Sequence, residues 1–336
     1  MRRRRPFPPR ELLAGLAGFL LIAAVAAPAV AADAEEFTIE DPRITESSGL
    51  AASRLHPGVY WTHNDSDDGA YLYAVDSRTG KTVATVTMTG VGTPRDVEAI
   101  SIGPGDQLYV GDIGDNMGGT WDHVWIYELP EPKELKDQTV RATQYDVRYA
   151  DGARDAESLM VHPKTGRVYI ADKKEDGGSL YEGPATLSTS GVNVFRKTAS
   201  IDLWATDGAF SPNGEQLAVR GYFGGIAYDW NDGKIEQTGR LSVPLQRQGE
   251  SMTYTPDGTQ IMYGSEGSGS SVEPRPAPGG GAGTGAGSPS GEASPRAAEQ
   301  GGGGAGDTKN VQVGAVAVVA VVVVVWGLRR LLRRSS

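Results

Sequence analysis

The feature that most constrains this chain is an internal repeat across residues 46–267. Five segments open alike: Glu46-Ser47-Ser48-Gly49-Leu50, Glu98-Ala99-Ile100-Ser101, Glu157-Ser158-Leu159-Met160-Val161, Thr206-Asp207-Gly208-Ala209-Phe210 and Glu250-Ser251-Met252-Thr253-Tyr254. A tight turn follows, such as His162-Pro163-Lys164-Thr165-Gly166, Ser211-Pro212-Asn213-Gly214 or Thr255-Pro256-Asp257-Gly258. Pro with Asn/Asp-Gly at that spacing is turn chemistry. A β-branched and aromatic run comes next (Leu108-Tyr109-Val110-Gly111-Asp112, Val168-Tyr169-Ile170-Ala171-Asp172), then a polar loop and, where the repeat is complete, a further run such as Val124-Trp125-Ile126-Tyr127. Such runs read as strands. The unit recurs at intervals of about 43 to 59 residues, the size of one four-stranded propeller blade.

The expected fold is therefore all-β: a β-propeller of five four-stranded blades, or six if residues 135–150 hold more than an outer strand. The last repeat is short, and Phe37-Thr38-Ile39 has no partner in its own repeat. This N-terminal strand is expected to complete the last blade, which closes the ring and removes exposed sheet edges.

The two ends read differently. Residues 1–32 carry Arg2–Arg5 and Arg10, an apolar run, Pro28 and the small residues Ala29-Val30-Ala31, the make-up of a secretory signal peptide. Residues 268–310 are rich in Gly, Pro, Ala and Ser and are expected to form a stalk. Residues 311–328 contain no charge and would span about 27 Å as one transmembrane helix. Arginines in the tail, 329–336, place the C-terminus in the cytoplasm by the positive-inside rule. The propeller, 33–267, is thus expected outside the cell, tethered to the cell membrane by a single pass.

Charge and composition narrow the chemistry. Nine of 32 basic residues but one of 42 acids lie in the two ends, so the net charge of −10 becomes −18 for the rest of the chain. Nucleic acid is excluded as a partner, since phosphate backbones call for basic surfaces. The absence of cysteine excludes thiol catalysis and Cys-ligated metals. The histidines His56, His63, His123 and His162 have no zinc spacing, and there is no G-x-S-x-G elbow.

In a propeller the first strand of each blade lines the central channel. Aligned by their turns, Glu46, Glu98, Glu157, Thr206 and Glu250 form a ring there. Carboxylates so close raise one another's pKa unless a cation intervenes, and calcium suits a hard oxygen donor set. Glu46, Glu98, Glu157 and Glu250 are the expected calcium ligands; the other reading is that each glutamate caps backbone N–H groups without metal. Loops on the same face carry His63, Asn64 and Asp65; Asp112, Asp115 and Asn116; Asp172, Lys173 and Lys174; Arg220 and Tyr222; Ser265 and Glu266. Lys173 and Arg220 are placed to meet an anion bridged to the metal.

The Glu-Ser-(Ser)-Gly-Leu and Glu-Ser-Leu strand starts resemble those of SdiA-regulated and phytase-like esterase propellers, and of WD40-type envelope proteins. The Trp-Asp signature itself does not recur; Trp121-Asp122 is its only instance. A more distant similarity is to calcium-activated nucleotidases, five-bladed propellers with a central calcium, which Glu98, Glu157 and Glu250 match. Thr206 departs from that pattern, unless Asp207 turns inward instead. Two functions follow. One is a binding or scaffold module for an envelope polymer, small molecule or protein ligand, with calcium in the channel. The other is a calcium-dependent hydrolase of phosphate or related esters, in which Glu98 or Glu157 assists a metal-bound water and Lys173 or Arg220 holds the anion.

Overall fold

Alternating apolar positions and Pro/Gly turns fold the repeats into short antiparallel meanders. The computed structural model describes residues 34–279, apart from Asp67. The expected signal peptide, transmembrane helix and tail, and the stalk beyond residue 279, lie outside the described residues. No helix among the described residues is long and apolar enough to cross a membrane.

All the regular elements described are strands. After β1 (Phe37–Thr38), the first meander is β2 (Ser47–Ala52), β3 (Val59–Asn64), β4 (Tyr71–Asp76) and β5 (Lys81–Thr89). The second contains β6 (Val97–Gly103), β7 (Gln107–Asp112), β8 (Val124–Pro130) and, after β9 (Gln138–Arg141), β10 (Thr143–Tyr149). The third is β11 (Ala156–Val161), β12 (Val168–Asp172), β13 (Gly178–Glu182) and β14 (Asn193–Ile201); the fourth is β15 (Asp207–Phe210), β16 (Gln216–Gly221), β17 (Gly224–Asn231) and β18 (Lys234–Leu241). The last is β19 (Gly249–Tyr254), β20 (Gln260–Ser265) and β21 (Ser271–Pro276), to which β1 adds as the fourth strand. Residues 135–150 supply two outer strands: β9, parallel to β5, and β10, antiparallel to β8 and parallel to β14.

The arrangement is propeller-like. The first strands touch in a closed cycle: β2 on β6, β6 on β11, β11 on β15, β15 on β19, and β19 back on β2. Apolar side chains fill the spaces between successive sheets. Trp61, Leu72 and Val86 meet Leu108, Val110 and Tyr127 between the first two. Phe37, Ile39, Met262 and Val272 meet Leu50, Tyr60 and Val75 where the last sheet joins the first. The first strands run toward a set of tight turns. In two of these, Ser211 Oγ donates to Asn213 Oδ1 (2.7 Å) and Thr255 Oγ1 to Asp257 Oδ1 (2.6 Å). Gly214 and Gly258 follow at φ 68° and 73°, which only glycine adopts without strain.

Closure rests on a short pairing, Phe37 with Val272 and Thr38 with Ser271. The sheet runs past the expected boundary at Gly267, since β21 pairs with β20 through Pro276. β1 covers only the start of β21, so the rest is an edge on which Pro274 and Pro276 are tolerated. Ala34 N–H donates to Gln260 Oε1 (2.6 Å) and Ala277 N–H to Thr259 O (2.9 Å). The chain therefore enters and leaves the fold on the turn side, opposite the ends of the first strands that carry Glu98, Glu157 and Glu250.

Ile39 is 1 % exposed in the closing core, whereas Val194 is 38 % exposed on an outer strand. Ile39→Ala is expected to destabilise the protein by ~2–5 kcal/mol and Val194→Ala by no more than about 0.5 kcal/mol, measured by denaturant unfolding. Equal effects would contradict the role of this junction.

Candidate functional site

The first strands do not pair evenly with their neighbours. The register slips between Val97 and Ala99, between Ala156 and Ser158, and between Gly249 and Ser251. The residues left at the bulges are Glu98, Glu157 and Glu250, and a bulge re-aims the side chain it carries. In the first sheet Leu50 pairs with Thr62 as Ile100 pairs with Val110, which makes Ser48 the equivalent of Glu98. Glu46 is therefore not a ring position; Ser48 is. Ser48 Oγ donates to Glu98 Oε2 at 2.9 Å, whereas Glu46 lies two residues further out and accepts from Ser66 Oγ at 3.3 Å. The ring is Ser48, Glu98, Glu157 and Glu250, at the mouth of the channel; the fourth sheet has no slip there, Asp207 pairing with Arg220 and Gly208 with Val219, so Thr206 is not matched to it by register. Asp207 does not substitute for Thr206: its carboxylate accepts the backbone N–H groups of Met252 and Gly208, both at 2.7 Å.

Just ahead of the ring stand Glu46, Asp96, Asp155 and Gln248, and in the fourth sheet Trp204, whose carbonyl faces Gly221 as that of Asp155 faces Lys173. Asp96 and Asp155 join the mouth, although neither is among the expected site residues. Their signal is the repeated Arg95-Asp96-Val97-Glu98 and Arg154-Asp155-Ala156-Glu157. Arg95 is held between Trp121 (4.0 Å) and Trp125 (3.7 Å), and Arg154 lies over Tyr181 (5.2 Å), which anchors each strand start.

Many of the loop residues expected at the rim have structural duties. Asn64 Oδ1 accepts from Thr45 and Glu46 N–H, and Asp112 accepts from Arg95 and Asp96 N–H and from Tyr127 Oη. Asp172 accepts from Ser179 N–H, and Ser265 exchanges bonds with Gln248. Asp115 caps Thr120 and Trp121, while Asn116 Nδ2 donates to Asp96 Oδ2 (2.9 Å). His63 is not at the mouth. It is 1 % exposed and packed against Gly49, and burial lowers its pKa to about 4.

Arg220 is also misplaced by the sequence reading. It is 0 % exposed, and its Nη1 donates to Ser251 O (3.0 Å) and Gly264 O (3.1 Å) between the fourth and fifth sheets. A Cβ on Gly249 would overlap its guanidinium. Lys173 does reach the mouth, where its Nζ contacts Glu157 Oε1. Lys174 is exposed.

What converges is a set of carboxylates. Asp65, Asp96 and Glu98 are all buried, and each offers an oxygen lying within 4.8 Å of the other two. One ion with bonds of about 2.4 Å reaches oxygens about 4.8 Å apart, so the three lie within reach of a single cation. It sits to one side of the channel, between the first and second sheets, rather than on the axis. Burial raises the pKa of Glu98 well above its usual range, with Asp96 adding to the rise and Lys173 opposing it. Burial likewise raises Glu250 and Asp155, again against Lys173. Glu266 is pushed up to about 10 by burial, then by Glu250 and Asp65.

No protein-family model matches the chain, and no curated protein matches it. The families resembled by its repeat starts thus stay resemblances. Solved structures similar to it include hydrazine synthase from Kuenenia stuttgartiensis (15% identity over 74% of this chain and 59% of that one, TM-score 0.36). A candidate 6-phosphogluconolactonase from Bacteroides uniformis is 15% identical over 65% of this chain and 64% of its own, with TM-score 0.37. One from Bacteroides fragilis is 11% identical over 68% and 66%, with TM-score 0.38. The chain spans less than two thirds of the first two, and likenesses at this level say nothing of chemistry.

The raised carboxylates make the metal-free protein sensitive to alkali. Their folded pKa values exceed the unfolded ones, so their contribution is full below about pH 4.5 and is lost as pH rises toward about 10 for Glu266. Buried His63 acts oppositely, losing stability as pH falls from 6.5 toward about 4, so the clean window is pH 7 to 9. With chelator present, the melting temperature is expected to fall by about 3 °C or more across that window, and by less in Glu266→Gln. A flat profile would contradict the burial of protonated carboxyls at the mouth.

Proposed function

We propose that this chain is a five-bladed β-propeller acting as a binding module outside the cell, tethered to the membrane through residues 311–328, with a calcium ion at its channel mouth. The observation that carries the reading is the convergence of buried Asp65, Asp96 and Glu98 within reach of one ion. Three desolvated carboxylates this close repel one another, and a divalent cation among them turns that repulsion into shared attraction. Gly114 supports the same reading, because a Cβ there would collide with the carboxylates of Glu98 and Asp96. Glu157 and Glu250 then shape the field around the ion rather than ligate it. The ligand classes that suit such a module are an envelope polymer, a small molecule or a protein.

The hydrolase alternative asks Lys173 and Arg220 to grip an anion. Lys173 is engaged by Glu157, and Arg220 is sealed between two sheets. Both facts weigh toward binding rather than turnover.

The test uses the full-length chain, purified in detergent. Metal analysis should find about one calcium per chain. Calcium at a hundredfold excess over its Kd adds about 2.7 kcal/mol, a rise in melting temperature of roughly 5–10 °C. Asp96→Asn and Glu98→Gln should each abolish that rise. No bound calcium and no shift would sink the proposal.

A further inference from the structure

The fourth sheet breaks the acidic pattern. Where the first three place Glu46, Asp96 and Asp155, it places Trp204. Trp204 packs edge-on against Tyr222 (5.3 Å), and Tyr222 lies beside Phe223 (6.3 Å). Tyr222 Oη donates to Glu250 Oε1 at 3.1 Å. One wall of the mouth is thus aromatic and borders the carboxyls of Glu250 and Glu266.

The chain already seats an organic cation here. The ammonium of Lys173 touches Glu157 and stands 5.7 Å from the centre of the Tyr222 ring. Carboxylate plus aromatic face is the chemistry that recognises ammonium and guanidinium groups. Glu157 is 3 % exposed, and its Oε2 has no hydrogen-bond partner among the described residues, so acceptor capacity is left over beside Lys173.

A separate observation concerns the rim. The three most exposed large apolar side chains among the described residues are Leu245 (92 %), Met117 (67 %) and Phe223 (66 %). All three lie on loops of the mouth face: β18–β19, β7–β8 and β16–β17. Single exposed apolar residues are ordinary; three around one acidic centre match a partner that is apolar where it is not basic.

We propose that this face docks a basic, apolar-flanked peptide segment of a partner protein. A lysine or arginine side chain of that segment lies against the Trp204–Tyr222–Phe223 wall and donates hydrogen bonds to carboxyl oxygens of Glu250 and Glu266, which accept in either protonation state, and its apolar neighbours cover Phe223 and Leu245. The inference rests on the reading of the protein as a binding module, but uses the aromatic wall beside Glu250 and Tyr222 rather than the three calcium ligands.

The test is fluorescence anisotropy with the full-length chain in detergent and a labelled peptide alternating leucine and lysine. Saturable binding is expected, with none for the same peptide carrying glutamate for lysine. Phe223→Ser, which alters an exposed side chain, and Glu250→Gln should each weaken binding by about tenfold. Asp96→Asn should retain peptide binding while losing calcium, so failure of the metal reading and failure of this one are separable. No saturable binding, or an unchanged affinity in Phe223→Ser, would overturn the proposal. Displacement of the peptide by equimolar spermidine would also overturn it and assign the mouth to free polyamines.

Discussion

Everything at the mouth depends on closure of the ring of first strands. Each sheet buries its faces only against its two neighbours, so an open ring would leave two apolar faces and a strand edge in water. The junction is sealed by two residue pairs between β1 and β21 and by the packing of Phe37, Ile39 and Met262 on the first sheet. β1 and β21 come together to do this across more than 200 residues, which makes the contact slow to form and cooperative once made. Only a closed ring points Glu98, Glu157 and Glu250 at one another.

That convergence has an electrostatic cost, and the mouth answers it in three ways. Lys173 supplies a tethered positive charge against Glu157. Burial holds Glu250 and Glu266 above their ordinary pKa values, which favours their neutral forms over a further gathering of charge. Asp65, Asp96 and Glu98 are left close enough to share a cation. The neighbouring Arg220 belongs to a different balance. It is buried beside Asp207 and Tyr263, in space that Gly249 leaves by lacking a side chain.

The meanders, their turns and the closing strand were legible because Pro-Asn/Asp-Gly turns and period-two apolar runs are local signals. The ring was legible only in part. Glu46-Ser47 looks like Glu157-Ser158, yet Leu50 is locked in the core opposite Thr62, and counting back from it lands on Ser48. Letter similarity lost to the register that burial imposes. Asp96 and Asp155 could have been found from the repeated Arg-Asp-x-Glu. Arg220 could not, because whether a polar residue at a strand end faces the channel or a neighbouring sheet depends on the space beside it, here left by Gly249 of the next repeat. The boundary at Gly267 failed for a related reason: Ser271–Pro276 is proline-rich and reads as linker, and only its place at a partly covered edge makes it a strand.

The central claim is that one cation sits off the channel axis, between the first and second sheets. The most direct measurement is anomalous diffraction from crystals of the protein soaked with manganese or terbium. The account predicts a single strong peak at about 2.0–2.6 Å from carboxylate oxygens of Asp65, Asp96 and Glu98. A peak on the axis among Glu98, Glu157 and Glu250, or no peak at the mouth, would contradict it.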